Sequence, residues 1–136
     1  TNKKPYDYDN LELIREIVQI CREKNIDFEM LIIPEYIDIY KNIDIDGFNE
    51  LKRKLVEITP FYDFTGINKI SADKKYFKDP IHIDSYASKY IVDRIFYQDK
   101  NDSPKVDGYG VYVTKNNIDS HIDKLKNEIT EYKSVK

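Results

Sequence analysis

Asp79 and His82 lie three residues apart in the run Asp79-Pro80-Ile81-His82, and together they can carry out acid–base chemistry. A carboxylate that holds one imidazole nitrogen leaves the other nitrogen free to take a proton from a nucleophile. Pro80 restrains the turn between them, because its ring fixes one backbone angle. We therefore predict two members of a catalytic triad, with His82 as general base and Asp79 as the residue that orients it.

The nucleophile of such a triad is not evident in the sequence. The four glycines lie at positions 47, 66, 108 and 110, and none is next to a serine, so no Gly-x-Ser-x-Gly elbow is present. Ser85 is close to His82, but its position fits a helix cap better than a nucleophile. The alternative is a plain structural turn, in which Asp79 only accepts hydrogen bonds from backbone N–H groups.

Length and composition limit the class of protein. With 136 residues, 40% of them hydrophobic, the chain can form one domain with a real core, over residues 1–136. A charged fraction of 35% with a net charge of −3 predicts a mixed surface and argues against a nucleic-acid groove. The single cysteine, Cys21, excludes an internal disulfide. No apolar run approaches the ~18 residues of a membrane span.

Metal and cofactor sites are not indicated. Asp79, His82 and Asp84 carry oxygen and nitrogen ligands, but their spacing fits no common zinc pattern. The second histidine, His121, lies among charged residues, and we predict that it is a solvated surface residue. We therefore expect neither a metal nor a cofactor.

Helical and strand patterns alternate along the chain. We predict helices that begin near Asp9, Asp46, Asp84 or Ser85, and Asn116 or Asn117, and strands over residues 28–33, 61–64 and 109–114. The first helix is expected to open with a capping box formed by Asp9 and Glu12. Its inward face is expected to consist of Leu13, Ile14, Ile17, Ile20 and Cys21.

The remaining segments are less regular in pattern. Residues 35–45 fit a strand, an irregular loop or a short helix, and residues 65–78 are predicted to be a polar loop. Residues 99–108 are predicted to be a surface loop, followed by a terminal strand and helix over 109–136.

The order of these elements is typical of an open parallel α/β sheet. Three strands make a poor sheet, since such domains usually have ~5–6, and an exposed edge would leave backbone groups unpaired. The chain also begins with Thr1 rather than methionine. We therefore expect a fragment of a larger domain, or a chain that needs a partner at its sheet edge.

Three segments in this order resemble the C-terminal half of an SGNH/GDSL-type hydrolase: residues 28–34, 61–64 and 79–82. In that superfamily an Asp-x-x-His turn after the last strand supplies two members of the triad. The resemblance extends to a bacterial cell-envelope subfamily with a Tyr-Asp-Phe strand, this turn and a closing Gly-Val-x-x-Thr segment, here residues 110–114. It covers nearly the whole chain, from about Tyr6.

The resemblance implies a partial three-layer αβα, flavodoxin-like fold with a short, mostly parallel sheet whose N-terminal strands are missing. It implies an esterase or O-acyltransferase in which Asp79 and His82 act with a serine on an earlier strand, so that this chain alone is inactive. It also implies an acylated polysaccharide or another ester as substrate, and a location in the cell envelope.

Glu35 and Tyr36 are candidate substrate-binding residues, because they follow the carboxyl end of the first strand, where open α/β sheets bind ligands. A plain surface loop fits them equally well. The alternative function is a non-catalytic α/β binding or assembly module of the cell envelope, with its exposed sheet edge facing a protein partner.

Overall fold

The computed structural model describes Tyr6 and residues 8–135, which form a mixed α/β fold. The helices in this part of the chain are α1 Asn10–Glu23, α2 Ile37–Tyr40, α3 Ile45–Ile58, α4 Ser85–Tyr97 and α5 Ile118–Ser134, with a 3₁₀ turn at Lys74–Tyr76. The strands are β1 Leu31–Ile32, β2 Phe61–Asp63, β3 Phe77–Asp79, β4 His82–Ile83 and β5 Val111–Val113. The predicted helices and strands occur in the predicted order, with two further strands, β3 and β4, between β2 and α4, and the ambiguous segment after β1 contains a short helix.

The main sheet has the order β1-β2-β5 and is mixed rather than mostly parallel. β1 is parallel to β2, with Leu31 opposite Tyr62, whereas β5 is antiparallel to β2, with Val113 opposite Phe61. β3 and β4 form a separate antiparallel hairpin. The hairpin and the preceding 3₁₀ turn lie where we predicted a polar loop and a simple turn.

Helices cover both faces of the main sheet. On one face α1, α3 and α5 pack over β1, β2 and β5 through a cluster that includes Leu55, Val56, Phe61, Val113, Ile118 and Ile122. On the other face α4 packs over the sheet through Tyr62, Phe64, Ile70, Ala87, Ile91 and Tyr109. β2 is the central strand, and its three residues are fully enclosed between these two layers.

The first helix differs from the prediction in its cap and in its inward face. The Asp9 side chain makes no capping hydrogen bond, so the predicted capping box is not formed. The helix ends at Glu23, and the expected Asn25 closes it two residues later in a left-handed conformation with φ of 56°. Its inward face consists of Leu11, Ile14 and Val18.

Three residues assigned to the inward face of α1 are instead exposed. Leu13, Ile17 and Ile20 have exposed fractions of 56%, 48% and 49%. They are spaced by four and three residues and therefore form one stripe along the outer side of the helix. The apolar surface of α1 is thus wider than the part of the sheet that it covers.

The caps of α3 and α4 are aspartates. The Asp44 carboxylate accepts a hydrogen bond from the Gly47 N–H at 3.2 Å, and that of Asp84 accepts one from the Ala87 N–H at 2.9 Å. Asp84, rather than Ser85, is therefore the cap of α4, because its oxygen satisfies an N–H of the first turn.

The loop over residues 99–108 is held by the buried side chain of Arg94 on α4. Its guanidinium donates to the carbonyl oxygens of Asp99, Lys100 and Asp102 at 3.0–3.1 Å, while Nε donates to that of Gly110 at 2.8 Å. Gly110 has φ of 90°, and a Cβ there would lie 2.6 Å from the Phe64 ring. A glycine is therefore required where the loop enters β5.

The described helices include none that combines the length and the apolar character needed to cross a membrane. The longest of them, α5, has 17 residues and carries charged side chains along its outer face.

Candidate functional site

The β3–β4 hairpin brings the side chains of Asp79 and His82 into direct contact. The two residues are opposite each other at the end of the hairpin, with Pro80 and Ile81 as the connection. Asp79 Oδ2 lies 2.6 Å from His82 Nδ1. This is the distance that an orienting carboxylate requires, so the local geometry of the predicted pair is present.

The second oxygen of Asp79 fixes the turn itself. Oδ1 accepts hydrogen bonds from the backbone N–H groups of Ile81 and His82, both at 3.0 Å. The bond from Ile81, followed by that of the His82 ring, lowers the pKa of Asp79 below its ordinary value of 3.8. The carboxylate is therefore ionised and held by three donors when it meets the imidazole.

His82 is accessible to an incoming group. Its side chain is 67% exposed, and no described residue makes a hydrogen bond to its Nε2 atom. Ser71 and Ser88 donate instead to the carbonyl oxygens of Gly66 and Asp84, at 2.7 and 2.8 Å. The other described serines also make no hydrogen bond to the imidazole, so the nucleophile of a triad is not among them.

The pair lies at the carboxyl end of β1. Tyr36, four residues after Ile32, donates its backbone N–H to the carbonyl oxygen of Pro80 at 3.2 Å. Its ring packs against Phe77 of β3, with the ring centres 5.5 Å apart. Because open α/β sheets bind ligands at the carboxyl ends of their parallel strands, the hairpin is at the end of the sheet where a site is expected.

A groove of about 280 Å³ adjoins the pair and is lined by Tyr36, Ile39, Phe77, Asp79 and Pro80 together with Asp38, Lys74 and Lys78. The structure therefore brings the predicted residue Tyr36 to the Asp79–His82 turn. Glu35 is not part of this lining and stays a prediction; its carboxylate adds to the larger effect of burial in raising the pKa of Tyr40.

A larger cleft, of about 530 Å³, lies at the opposite end of the sheet. It is lined by residues of α1 and by Thr59 and Pro60, which precede the amino end of β2. It does not include the hairpin.

No three His, Cys, Asp or Glu side chains of the described residues come together as a ligand set for a metal ion. Asp84, which the sequence places close to Asp79 and His82, has its oxygen directed to the first turn of α4. Asp79 and His82 therefore contact each other, whereas Asp84 caps α4.

A buried polar network behind the sheet was missed by sequence reasoning. Asp63, at the end of β2, lies 2.8 Å from both Lys52 Nζ and His121 Nε2, and its other oxygen accepts hydrogen bonds from Thr65. Lys52 also donates to the Thr65 hydroxyl at 2.6 Å. His121 is therefore buried and paired, and the prediction of a solvated histidine is wrong.

The network keeps Asp63 ionised in the interior. Burial alone would raise the pKa of Asp63, but the Lys52 ammonium and the His121 ring outweigh it and hold the pKa far below its ordinary value. The side chains of Lys52 and Asp63 are fully buried, so these charges join α3 to β2 and do not face a ligand. The sequence did contain a signal for this network: Asp63 stands between two aromatic residues in a strand that is expected to be buried, and a buried charge needs a partner.

Comparison with models of known protein families, with curated proteins and with solved structures finds no significant match to this chain. The family resemblance therefore remains an expectation, and the functional argument depends on the geometry of the hairpin.

Proposed function

We propose that this chain supplies the acid–base pair of an SGNH-like esterase or O-acyltransferase. The observation that carries the proposal is the 2.6 Å contact between Asp79 Oδ2 and His82 Nδ1, at the carboxyl end of the parallel strands, with Nε2 accessible. An ionised carboxylate fixes the tautomer of the ring and stabilises the imidazolium that forms during proton transfer.

In this mechanism His82 Nε2 takes the proton from a serine hydroxyl as that oxygen attacks the acyl carbon of an ester. The imidazolium then gives the proton to the departing alkoxide, which leaves as an alcohol and an acyl-enzyme remains. Attack by water on the acyl-enzyme completes an esterase cycle, whereas attack by a second alcohol completes an acyl transfer. Asp79 stays ionised throughout and holds the ring.

The serine is proposed to lie on a strand that extends the sheet beyond β1. Met30 and Ile32 use their carbonyl oxygens to pair with β2, so the backbone groups of Leu31 and Ile33 face the other edge. No described strand pairs with that edge. The run from Met30 to Ile33 is apolar on both faces, as expected of an interior strand of a parallel sheet.

The helices support the same extension. α1 and β1 pack against the same core cluster through Leu11, Ile14 and Ile32, and the outer stripe of α1, Leu13, Ile17 and Ile20, stays exposed. On the opposite face, Ile33 is also exposed. A further strand with its helix, from the N-terminal part of the same protein, would cover both surfaces and complete a three-layer αβα, flavodoxin-like domain.

The proposed substrate is an acylated polysaccharide or a related ester at the cell envelope. This part of the proposal is based on the family resemblance and depends on the same pair of residues.

The test uses the longer open reading frame, expressed with the residues upstream of this chain and assayed for hydrolysis of 4-nitrophenyl acetate. We expect His82→Ala to reduce kcat/KM on the order of 10²- to 10⁴-fold, the contribution of a positioned general base. Lys75→Ala is the matched control, because Lys75 is an exposed neighbour paired with Asp73. Equal rates for His82→Ala and the parent protein would remove His82 from the mechanism.

A non-catalytic binding or assembly module is the second candidate. It is favoured by the two backbone hydrogen bonds to Asp79 Oδ1, which a purely structural turn would also form, and by the exposed apolar stripe of α1. An upstream strand that ends in a Gly-x-Ser or Gly-Ser-Ser element favours the enzyme. An upstream sequence without such an element favours the module.

A further inference from the structure

The groove beside the hairpin has an apolar floor. The half-buried ring of Tyr36 is tilted by 55° against the buried ring of Phe77. Ile39 and Pro80 add exposed aliphatic surface to the same lining. At about 280 Å³ the groove is just below the ~300–1,000 Å³ of typical ligand pockets, so it fits one small alkyl or aryl group.

The charges around this floor are unequal. Asp38 is paired with Lys41 at 2.9 Å, and the oxygens of Asp79 are directed to the His82 ring and to two backbone N–H groups. Lys74 and Lys78 are exposed members of the lining, and no carboxylate of the described residues forms an ion pair with either. Lys74 and Lys78 therefore stand over an apolar floor without an ion-pair partner among the described residues, and the ionised Asp79 carboxylate lines the same groove.

We infer that this groove binds the part of a substrate that combines a small apolar body with one anionic group, a carboxylate or a phosphate. The apolar body packs between Tyr36, Ile39 and Phe77, and the anion lies between Lys74 and Lys78. The inference rests on the proposed function in one respect, which is that the bound group belongs to the ester that His82 acts on. Because Asp79 and Pro80 line the same groove, the bound group lies next to the catalytic pair.

The test measures binding to this chain by amide chemical shifts in ¹⁵N-labelled protein, at about 0.01 M ionic strength, where charges act over about 30 Å. The probes are 4-phenylbutyrate, its neutral analogue 4-phenylbutanamide, and 3-phenylpropyl phosphate. We expect both anions to bind about threefold to tenfold more tightly than the amide, as for exposed charge pairs. Tighter binding of 3-phenylpropyl phosphate than of 4-phenylbutyrate would identify the bound anion as a phosphate. Equal binding of the two would mean that the groove accepts either anion.

Variants separate the two parts of the groove. The double variant Lys74→Gln/Lys78→Gln is expected to remove the preference for the anions and to leave amide binding unchanged. Lys75→Gln is the matched control, because Lys75 lies between the two but does not line the groove. Ile39→Ser is expected to weaken all three probes by a similar factor, because it removes apolar floor without changing charge.

Four results would overturn the inference. These are equal binding of the amide and the anions, shifts that map away from residues 36–39 and 74–80, no shifts with any probe, and an equal effect of Lys75→Gln and the double variant. None of the probes is an acyl ester, so the outcome does not depend on whether His82 acts as a base. Failure of the groove and failure of the catalytic pair are therefore observed in separate experiments.

Discussion

At the scale of single residues, Asp79 does two things at once. One oxygen closes the turn by accepting two backbone N–H groups, and the other holds the His82 ring at 2.6 Å. The contact between the two side chains is therefore formed within the hairpin itself. The pKa of Asp79 is lowered, chiefly by the hydrogen bond from the Ile81 N–H. The stability that the ionised carboxylate gives to the turn is therefore complete above its ordinary pKa and is lost as the pH falls through the lowered pKa.

Asp79→Asn should reverse the tautomer of His82. In the parent chain the carboxylate accepts from Nδ1, so the neutral ring carries its proton there and Nε2 is the base. An asparagine keeps its oxygen on the backbone N–H groups and turns its NH₂ group toward Nδ1, which moves the ring proton to Nε2. Long-range ¹H–¹⁵N spectra of the imidazole ring at a pH of about 9, above the ordinary histidine range, measure this change.

The chain contains an internal control for that experiment. His121, the only other histidine, is held through Nε2 by Asp63 at 2.8 Å and lies far from the hairpin in sequence. Its ring signals are expected to be the same in both proteins. If the His82 signals also stay unchanged, the 2.6 Å contact does not orient the ring, and the catalytic reading of Asp79 fails.

At the scale of elements, the buried ion pair of Lys52 and Asp63 connects α3 to β2. Lys52→Met leaves Asp63 in the interior without its ammonium partner, and it also removes the Lys52 contact over the Phe48 ring at 4.2 Å. We expect a loss of about 3–5 kcal/mol in the free energy of unfolding, the cost of breaking a buried pair from one side. Urea unfolding followed by circular dichroism at neutral pH measures it.

Lys126→Gln is the matched control, since Lys126 and Asp46 form an exposed pair at 2.7 Å between α5 and α3. Its expected cost is much smaller, because solvent screens an exposed ion pair. The lowered pKa of Asp63 gives the pH dependence: its stabilising contribution is complete above the ordinary aspartate pKa and is lost only in strong acid. A cost for Lys52→Met as small as that of the control would mean that the network does not hold the two elements together.

The helices and the order of the strands were predictable because their signals are local. Pro60 ends α3, Asp84 caps α4, and the spacing of apolar residues in α5 gives its buried face. The Asp79–His82 contact was predictable for the same reason, because it forms within the four residues of one turn.

The features that sequence reasoning missed depend on distant residues. The alternating pattern of β5 is the same for a parallel and an antiparallel strand, and its direction is set by a loop that Arg94 holds from α4. His121 among charged neighbours does not indicate Asp63, which is 58 residues away. The apolar residues of α1 cover more than one face, and their pattern alone does not show which face contacts the sheet, so the predicted inward position of Ile17 is wrong.

At the scale of the whole molecule, two features indicate a surface that another element covers: the exposed apolar residues of α1 and the unpaired edge of β1. The stripe of Leu13, Ile17 and Ile20 is exposed, and the outer backbone groups of β1 have no partner among the described strands. An exposed apolar helix face and an open sheet edge are both places where a further strand or helix can pack. The proposed occupant is a strand and helix from the N-terminal part of the same protein.

Ile17→Gln tests this occupant by comparing two lengths of the protein. In the present chain Ile17 is half exposed, so the substitution should change the free energy of unfolding by no more than about 0.5 kcal/mol. In the longer protein the same side chain would be buried, and the cost should rise to about 1.5–3 kcal/mol. Val135→Gln is the matched control, because Val135 is 84% exposed and lies at the end of α5. Equal effects of Ile17→Gln in the two lengths would contradict the proposed packing. Concentration-dependent association of the present chain that Ile17→Gln abolishes would assign the surface to a second copy instead.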